Sequence, residues 1–186
     1  MLIDASDGTI LYEKNAHIKK GMASTTKILT AIVIIENCNL EETITITKDT
    51  IGIEGSSIYL EEGEKLTIKD LLYGLMLRSG NDCAETLAKY CCGSIESFAT
   101  LMNETAKKIG ANNSNFVNPH GLHNDEHYTT AYDLALITAK ALKNDIFKEI
   151  VSTKKINISN ETENYDRVLI NKNKIICKLY YKIIHK

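Results

Sequence analysis

This 186-residue sequence is short of proline, tryptophan and late glycine. Its one proline is Pro119, and tryptophan is absent. A proline-rich recognition segment is therefore excluded. The last of its ten glycines is Gly121, and the 65 residues after it contain none. No glycine-dependent motif can lie beyond that point. No run of 18 apolar residues occurs, so no membrane-spanning helix is expected. Excess positive charge is missing too: 22 basic residues face 24 acidic ones, a net charge of −2. Nothing in that balance favours a nucleic-acid partner. Paired Cys-x-x-Cys spacing is also absent. Cys83, Cys91 and Cys92 fall where a helix needs small apolar residues, and they read as core fillers. The chain opens Met1-Leu2-Ile3-Asp4-Ala5, already strand-like, with no basic region followed by an apolar stretch. As written it carries no export signal and is expected in the cytoplasm.

What is present suits one folded domain. The sequence is 44% apolar and 25% charged, ordinary for a globular chain of this length. Ser6-Asp7-Gly8 predicts a hairpin turn within residues 1–13. Residues 24–36 read as a helix apolar nearly all round, hence a central one. Thr43 to Thr47 alternates with the period of a strand. Thr67-Ile68-Lys69-Asp70 predicts a capped helix start. Further helices are expected from Asp82 to Cys92, from Ser94 to Ile109 and from Thr130 to Leu142. Residues 149–158 and 166–176 read as strands. Strands at both ends and helices between them predict an α+β fold, its helical middle packed on an antiparallel sheet built from both chain ends.

Ser24-Thr25-Thr26-Lys27 is the first constellation with chemical content. On a helix, i and i+3 share a face, so the lysine amine reaches the serine hydroxyl. Serine needs a base to act as a nucleophile, and a lysine kept neutral by burial can supply one. The bare pattern is common. It recurs at Ser152-Thr153-Lys154-Lys155, in strand-like sequence where i and i+3 face opposite ways. Order and surroundings set the first copy apart. Arg78-Ser79-Gly80-Asn81-Asp82 interrupts a helical run, and Asn118-Pro119-His120-Gly121-Leu122 follows, then residues 127–134.

Taken together, these segments resemble the penicillin-binding D-alanyl-D-alanine carboxypeptidases, the serine peptidases of family S11, over about residues 2–174. The resemblance implies a β-lactamase/transpeptidase-like fold. It implies Ser24 as the acylated nucleophile, Lys27 as its general base, Ser79 as the proton relay to the leaving D-alanine, and Asn81 as the side chain holding the substrate amide and Lys27. The implied partners are peptidoglycan stem peptides ending in D-Ala-D-Ala, with β-lactams as inhibitors and no cofactor or metal. Members of the family are exported and membrane-associated. Class A β-lactamases share part of the pattern, but Ser-Gly-Asn stands here where they carry Ser-Asp-Asn.

The family's third motif, Lys-Thr-Gly or His-Thr-Gly on a late strand, requires a glycine that residues 122–186 lack. The carboxylate-binding residues are therefore unassigned. The expectation is a partial transpeptidase-like domain over 1–176 with an incomplete sheet, a frameshifted or early-stopped tail over 177–186, and impaired activity. A non-catalytic peptide- or penicillin-binding module and a β-lactamase-like hydrolase are the alternatives. Three further expectations concern loops. His120, His123 and His127 with Asp125 and Glu126 lack a strong zinc spacing and read as structural. Glu61, Glu62 and Glu64 read as a solvated turn around Gly63. Tyr180 and Tyr181 with their lysines read as a scrambled end rather than a basic aromatic patch.

Overall fold

The computed structural model describes residues 1–4, 6–159 and 166–173. Strands β1 (Leu2–Ile3) and β2 (Ile10–Tyr12) form the predicted N-terminal hairpin. A 3-10 turn, Ala23–Thr26, leads into α1 (Lys27–Asn37). Next come β3 (Thr43–Thr45), β4 (Lys65–Thr67), α2 (Ile68–Arg78), α3 (Asn81–Cys92) and α4 (Ile95–Ile109). A long loop precedes α5 (Ala131–Ala141), α6 (Asp145–Ser152), β5 (Lys155–Ser159) and β6 (Asp166–Ile170). The segments 160–165 and 174–186 lie outside the described residues, and so does the aberrant tail expected over 177–186.

Helix α1 is the hub, touching every other helix. Leu29, Ala31, Ile32, Val33 and Ile34 are buried on several of its sides, as its nearly all-apolar sequence requires. The helix starts obey local chemistry. Thr67 Oγ1 accepts from Asp70 N–H at 3.0 Å, and the Asp70 carboxylate accepts from Thr67 N–H at 3.3 Å, a complete capping box. Ser94 and Thr130 cap α4 and α5 by a single bond each, their hydroxyls accepting from Ser97 and Asp133 N–H. Cys83 is fully buried in the core, whereas Cys91 and Cys92 are half-buried at its margin.

The expected mixed architecture of helices and antiparallel strands forms, but among the described residues the strands from the two chain ends are not joined in one sheet. The described strands make three separate two-stranded antiparallel sheets: β1–β2, β3–β4 and β5–β6. The two end hairpins are held against different neighbours. The β1 hairpin flanks a groove walled by α1, α4 and α5. The β6 strand packs on α2, and the amide that follows it, Lys172 N–H, donates to Leu77 O at 3.1 Å. Arg167 of β6 forms a fork–fork ion pair with Glu64, which is only 2% exposed. Glu64 is thus a buried anchor rather than part of a solvated turn: its carboxylate also accepts from Glu61 N–H.

The strand expected over 149–158 starts late. Asn144 Oδ1 accepts from Phe147 N–H at 3.0 Å, and Phe147 and Ile150 bury one face, so residues 145–152 are helical. The second Ser-x-x-Lys copy therefore straddles an element boundary, with Ser152 ending α6 and Lys155 opening β5.

Candidate active site

Three elements meet at the N-terminus of α1. The turn Ala23–Thr26 carries Ser24, which is exposed, and α1 opens with Lys27, which is 2% exposed. Ser24 follows Ala23, a non-glycine residue at φ +46°. Such a conformation is costly and marks a site where surrounding structure dictates the backbone. The Ser24 amide N–H has no acceptor among the described residues, the usual condition of a helix's first turn.

Lys27 Nζ makes three contacts. It donates to Asn81 Oδ1 at 2.7 Å and to His120 O at 2.8 Å, and Ser24 Oγ lies 3.4 Å away. Burial lowers the pKa of this amine to about 8, an effect reinforced by the Lys172 charge and opposed by Asp82. The geometry suits the neutral form. A neutral amine has two N–H groups for the two short contacts and one lone pair left for the serine.

Helix α2 stops at Ser79, which sits in the left-handed region at φ +63°. This break restarts the chain as α3, whose first residue is Asn81. Asn81 is held at every polar atom: its N–H donates to Ser56 O at 2.7 Å and its Nδ2 to Glu54 O at 2.5 Å. The amide orientation follows, with Oδ1 left for Lys27. Gly55 lies between those carbonyls at φ +97°, and a Cβ there would sit 2.7 Å from Asn81 Nδ2. Asp82, fully buried, accepts from Ser57 Oγ and from the N–H groups of Ile58, Leu60 and Cys83. It ties the 56–60 loop to the start of α3.

The third element is the loop ahead of α5. Asn118 closes it, accepting from Gly121 N–H at 2.7 Å and donating to Leu122 O at 3.0 Å. Thr30 of α1 donates to Pro119 O at 2.7 Å. Gly121, at φ +89°, lies so close that a Cβ would fall 1.9 Å from Ala23 O. Val117 N–H donates to His127 Nδ1, so the proton is on Nε2, which donates to Thr26 Oγ1 at 2.8 Å. Leu122 N–H likewise donates to His120 Nδ1, leaving Nε2–H facing Glu85. Burial lowers the pKa of both rings to about 4. Both histidines work as neutral hydrogen-bonding groups of the loop, whereas His123 is exposed beside Asp125. A cavity of about 240 Å³ is walled by Met22, Ala23, Gly121, Leu122 and His127, and none of Ser24, Lys27, Ser79 and Asn81 lines it.

Of the four residues singled out in the sequence, Ser24, Lys27 and Asn81 are joined through the lysine amine. Ser79 is two residues from Asn81, and its hydroxyl has no hydrogen-bond partner among the described residues. The carbonyls of His120, Glu54 and Ser56, and the contacts of Gly55 and Lys172, were not foreseen. Only the Asn118–Leu122 motif carried a sequence signal for any of them.

Comparison with known proteins shows the family and the fold. The sequence model of peptidase S11, described as D-alanyl-D-alanine carboxypeptidase, matches residues 1–184. The chain belongs to this family. Among its relatives, the D-alanyl-D-alanine carboxypeptidase DacF of Bacillus subtilis is 34% identical over 183 residues, 95% of this chain and 46% of DacF. The D-alanyl-D-alanine carboxypeptidase of Streptomyces sp. K15 is 40% identical over 159 residues, 79% of this chain and 55% of that protein. The chain thus spans about half the length of the curated relatives it matches. The crystal structure of the Streptomyces K15 DD-transpeptidase superposes with a TM-score of 0.85 at 33% identity, over 95% of this chain and 73% of that one. The D-alanyl-D-alanine carboxypeptidase of Mycobacterium tuberculosis H37Rv gives a TM-score of 0.88 at 26% identity, over 95% and 66%. The S11 chain described here therefore has the transpeptidase fold of penicillin-binding proteins. No helix among its described residues is long and apolar enough to cross a membrane.

Proposed function

We propose that this chain acts as a serine peptidase on peptides ending in D-Ala-D-Ala, through an acyl-enzyme on Ser24. One observation carries the reading: the buried Lys27 amine, held between Asn81 Oδ1 and His120 O, has its remaining valence directed at Ser24 Oγ. Ser24 Oγ attacks the carbonyl of the penultimate D-alanine while its proton passes to neutral Lys27. The Ser24 N–H, free at the helix start, donates to the developing oxyanion. As the C–N bond breaks, the proton taken up by Lys27 passes through the Ser79 hydroxyl to the departing D-alanine amine, which leaves Lys27 neutral. Water then hydrolyses the ester, with Lys27 again as base. A β-lactam acylates Ser24 in the same way: Oγ attacks the lactam carbonyl, the ring C–N bond opens, and the amine stays attached to the acyl group rather than departing. Family membership and the three hydrogen-bonded groups support these roles.

The 186 residues hold no Lys-Thr-Gly or His-Thr-Gly sequence. The second oxyanion donor that such a strand supplies is accordingly unassigned, and losing one such donor typically costs about 10²–10³ in rate. Turnover by these 186 residues is expected to fall below that of relatives that carry this donor by about that factor. The test is release of D-alanine from an acylated D-Ala-D-Ala peptide, with Ser24→Ala as the blank. Slow release that depends on Ser24 supports the proposal. Release equal in both proteins, or none after prolonged incubation, overturns it. Rapid penicillin hydrolysis with no peptide cleavage would instead favour a β-lactamase-like activity.

A further inference from the structure

Helices α1 and α3 run side by side in the same direction and are matched in length, at 11 and 12 residues. Their starts meet where Lys27 Nζ donates to Asn81 Oδ1. Their ends meet too, about 15 Å away at the rise of an α-helix. There Cys38 ends α1, and Cys91 and Cys92 close α3. The three thiols are unbridged and clustered. Cys91 Sγ and Cys92 Sγ are 3.6 Å apart, and the Cys91 thiol is hydrogen-bonded to Cys38 across the helix pair. All three are half-buried, whereas Cys83 is sealed in the core and inert. Nothing in the reaction proposed at Ser24 uses this cluster.

Geometry decides which two sulfurs suit each other. Neighbouring residues have Cα atoms about 3.8 Å apart, short of the roughly 4.4–6.8 Å that a disulfide spans. Cys91 and Cys92 therefore bridge only with a distorted peptide in the last turn of α3. Cys38 and Cys91 stand on different helices and escape that limit. Their hydrogen bond also divides the roles. It holds the Cys38 thiol below its ordinary pKa and pushes Cys91 above it, so Cys38 is the sulfur that ionises.

We propose that Cys38 and Cys91 form a reversible disulfide site, oxidised by a small-molecule disulfide, whose bridge clamps the end of α1 to the end of α3. The Cys38 thiolate attacks one sulfur of the donor RS–SR, a Cys38–S–S–R bond forms and RS⁻ leaves. Cys91 loses its proton to solvent, attacks the Cys38 sulfur and expels the second RS⁻. The chain gives up two electrons and two protons, and the donor is reduced to two RSH. The site is independent of the peptidase reading. Its bridge closes the chain between residues 38 and 91 and so restricts the unfolded state.

The test uses the full chain and oxidised glutathione. After incubation the remaining thiols are alkylated and the unreduced peptides are mapped. A Cys38–Cys91 linked pair is expected, within a chain that stays monomeric on a non-reducing gel and reverts with dithiothreitol. The Tm should rise by about 5–10 °C over the reduced chain. Cys91→Ser should stop after the first step, with one glutathione on Cys38, and Cys38→Ser should leave Cys91 as a thiol. The Tm of each reduced variant shows that it folds. A Cys91–Cys92 bridge, a bond to Cys177, a link between two chains, a lasting glutathione adduct on the unsubstituted chain, or no loss of thiols overturns the site. A Cys38–Cys91 bond that lowers the Tm overturns it as well, because the helix ends would then have to shift to make it.

Discussion

The pH dependence of Ser24 acylation should report the state of Lys27 directly. With its pKa lowered to about 8, the amine is about 9% neutral at pH 7, against about 0.03% at the ordinary lysine value of 10.5. Burial thus raises the population of competent base about 300-fold at neutral pH. Across the window from pH 6 to pH 9 the neutral fraction climbs from about 1% to about 91%, so the rate should rise about 90-fold and flatten above pH 8. The sign follows from the charge: lowering the pH protonates Lys27 and removes the base. His120 and His127, with pKa values near 4, stay neutral throughout and do not distort the curve. The assay is the second-order rate of labelling by a fluorescent penicillin, measured at constant ionic strength. Lys27→Met should lose about 10²–10⁴ in rate and flatten the profile. A wild-type rate still climbing tenfold per unit at pH 9 would mean an ordinary lysine, and a flat profile would mean that Lys27 is not the base.

Three other outcomes follow from the same contacts. Asp82→Asn replaces an acceptor of four donors with a group that turns N–H toward N–H. It should cost about 1–3 kcal/mol, seen as a lower Tm, and loosen the 56–60 loop, and an unchanged Tm would contradict the role given to that carboxylate. Gly121→Ala drives a Cβ into the Ala23 carbonyl, which is backbone and cannot turn aside. A loss above about 3 kcal/mol, or failure to fold, is expected, and a normal Tm would mean that the loop does not pack on the Ser24 turn as described. Both buried histidines have folded-state pKa values below the unfolded 6.5, so the stability they contribute is complete above pH 6.5 and declines as pH falls toward 4. A Tm that drops between pH 6.5 and 5, and drops less in His127→Gln, would show this; equal slopes in the two proteins would refute it.

Much of the fold was legible because local chemistry decided it. Thr67, Ser94 and Thr130 cap helices where their neighbours demand it, and the nearly all-apolar run from Ile28 to Ile35 could only be a buried helix. The pairing of hairpins was not legible. Short alternating segments dictate pairing with an adjacent strand, as β5 does with β6, but not where the hairpin docks: Arg167 of β6 is held by Glu64, just before β4 and far away in sequence. Glu64 read as solvated because an acidic run carries no sign of a partner 103 residues later.

Legibility at the candidate site divides in the same way. Ser24, Lys27 and Asn81 carry their chemistry in their side chains, and their spacing placed two of them on adjacent turns. Half of what holds them is backbone: His120 O, Glu54 O and Ser56 O orient Lys27 and Asn81, and a carbonyl has no residue identity to read. The turn at Ser24 is 3-10 rather than α because Ala23 enters it in a left-handed conformation beneath Gly121. That close approach is visible only once the loop before α5 is in place.

Every role proposed for Lys27, Ser79 and Asn81 depends on Ser24 being the residue that is acylated. Intact-mass analysis of the full chain after penicillin treatment, followed by peptide mapping, tests this most directly. One adduct per chain is predicted, mapped to Ser24 and absent from Ser24→Ala. No adduct at saturating penicillin, or one mapped to another residue, would contradict it.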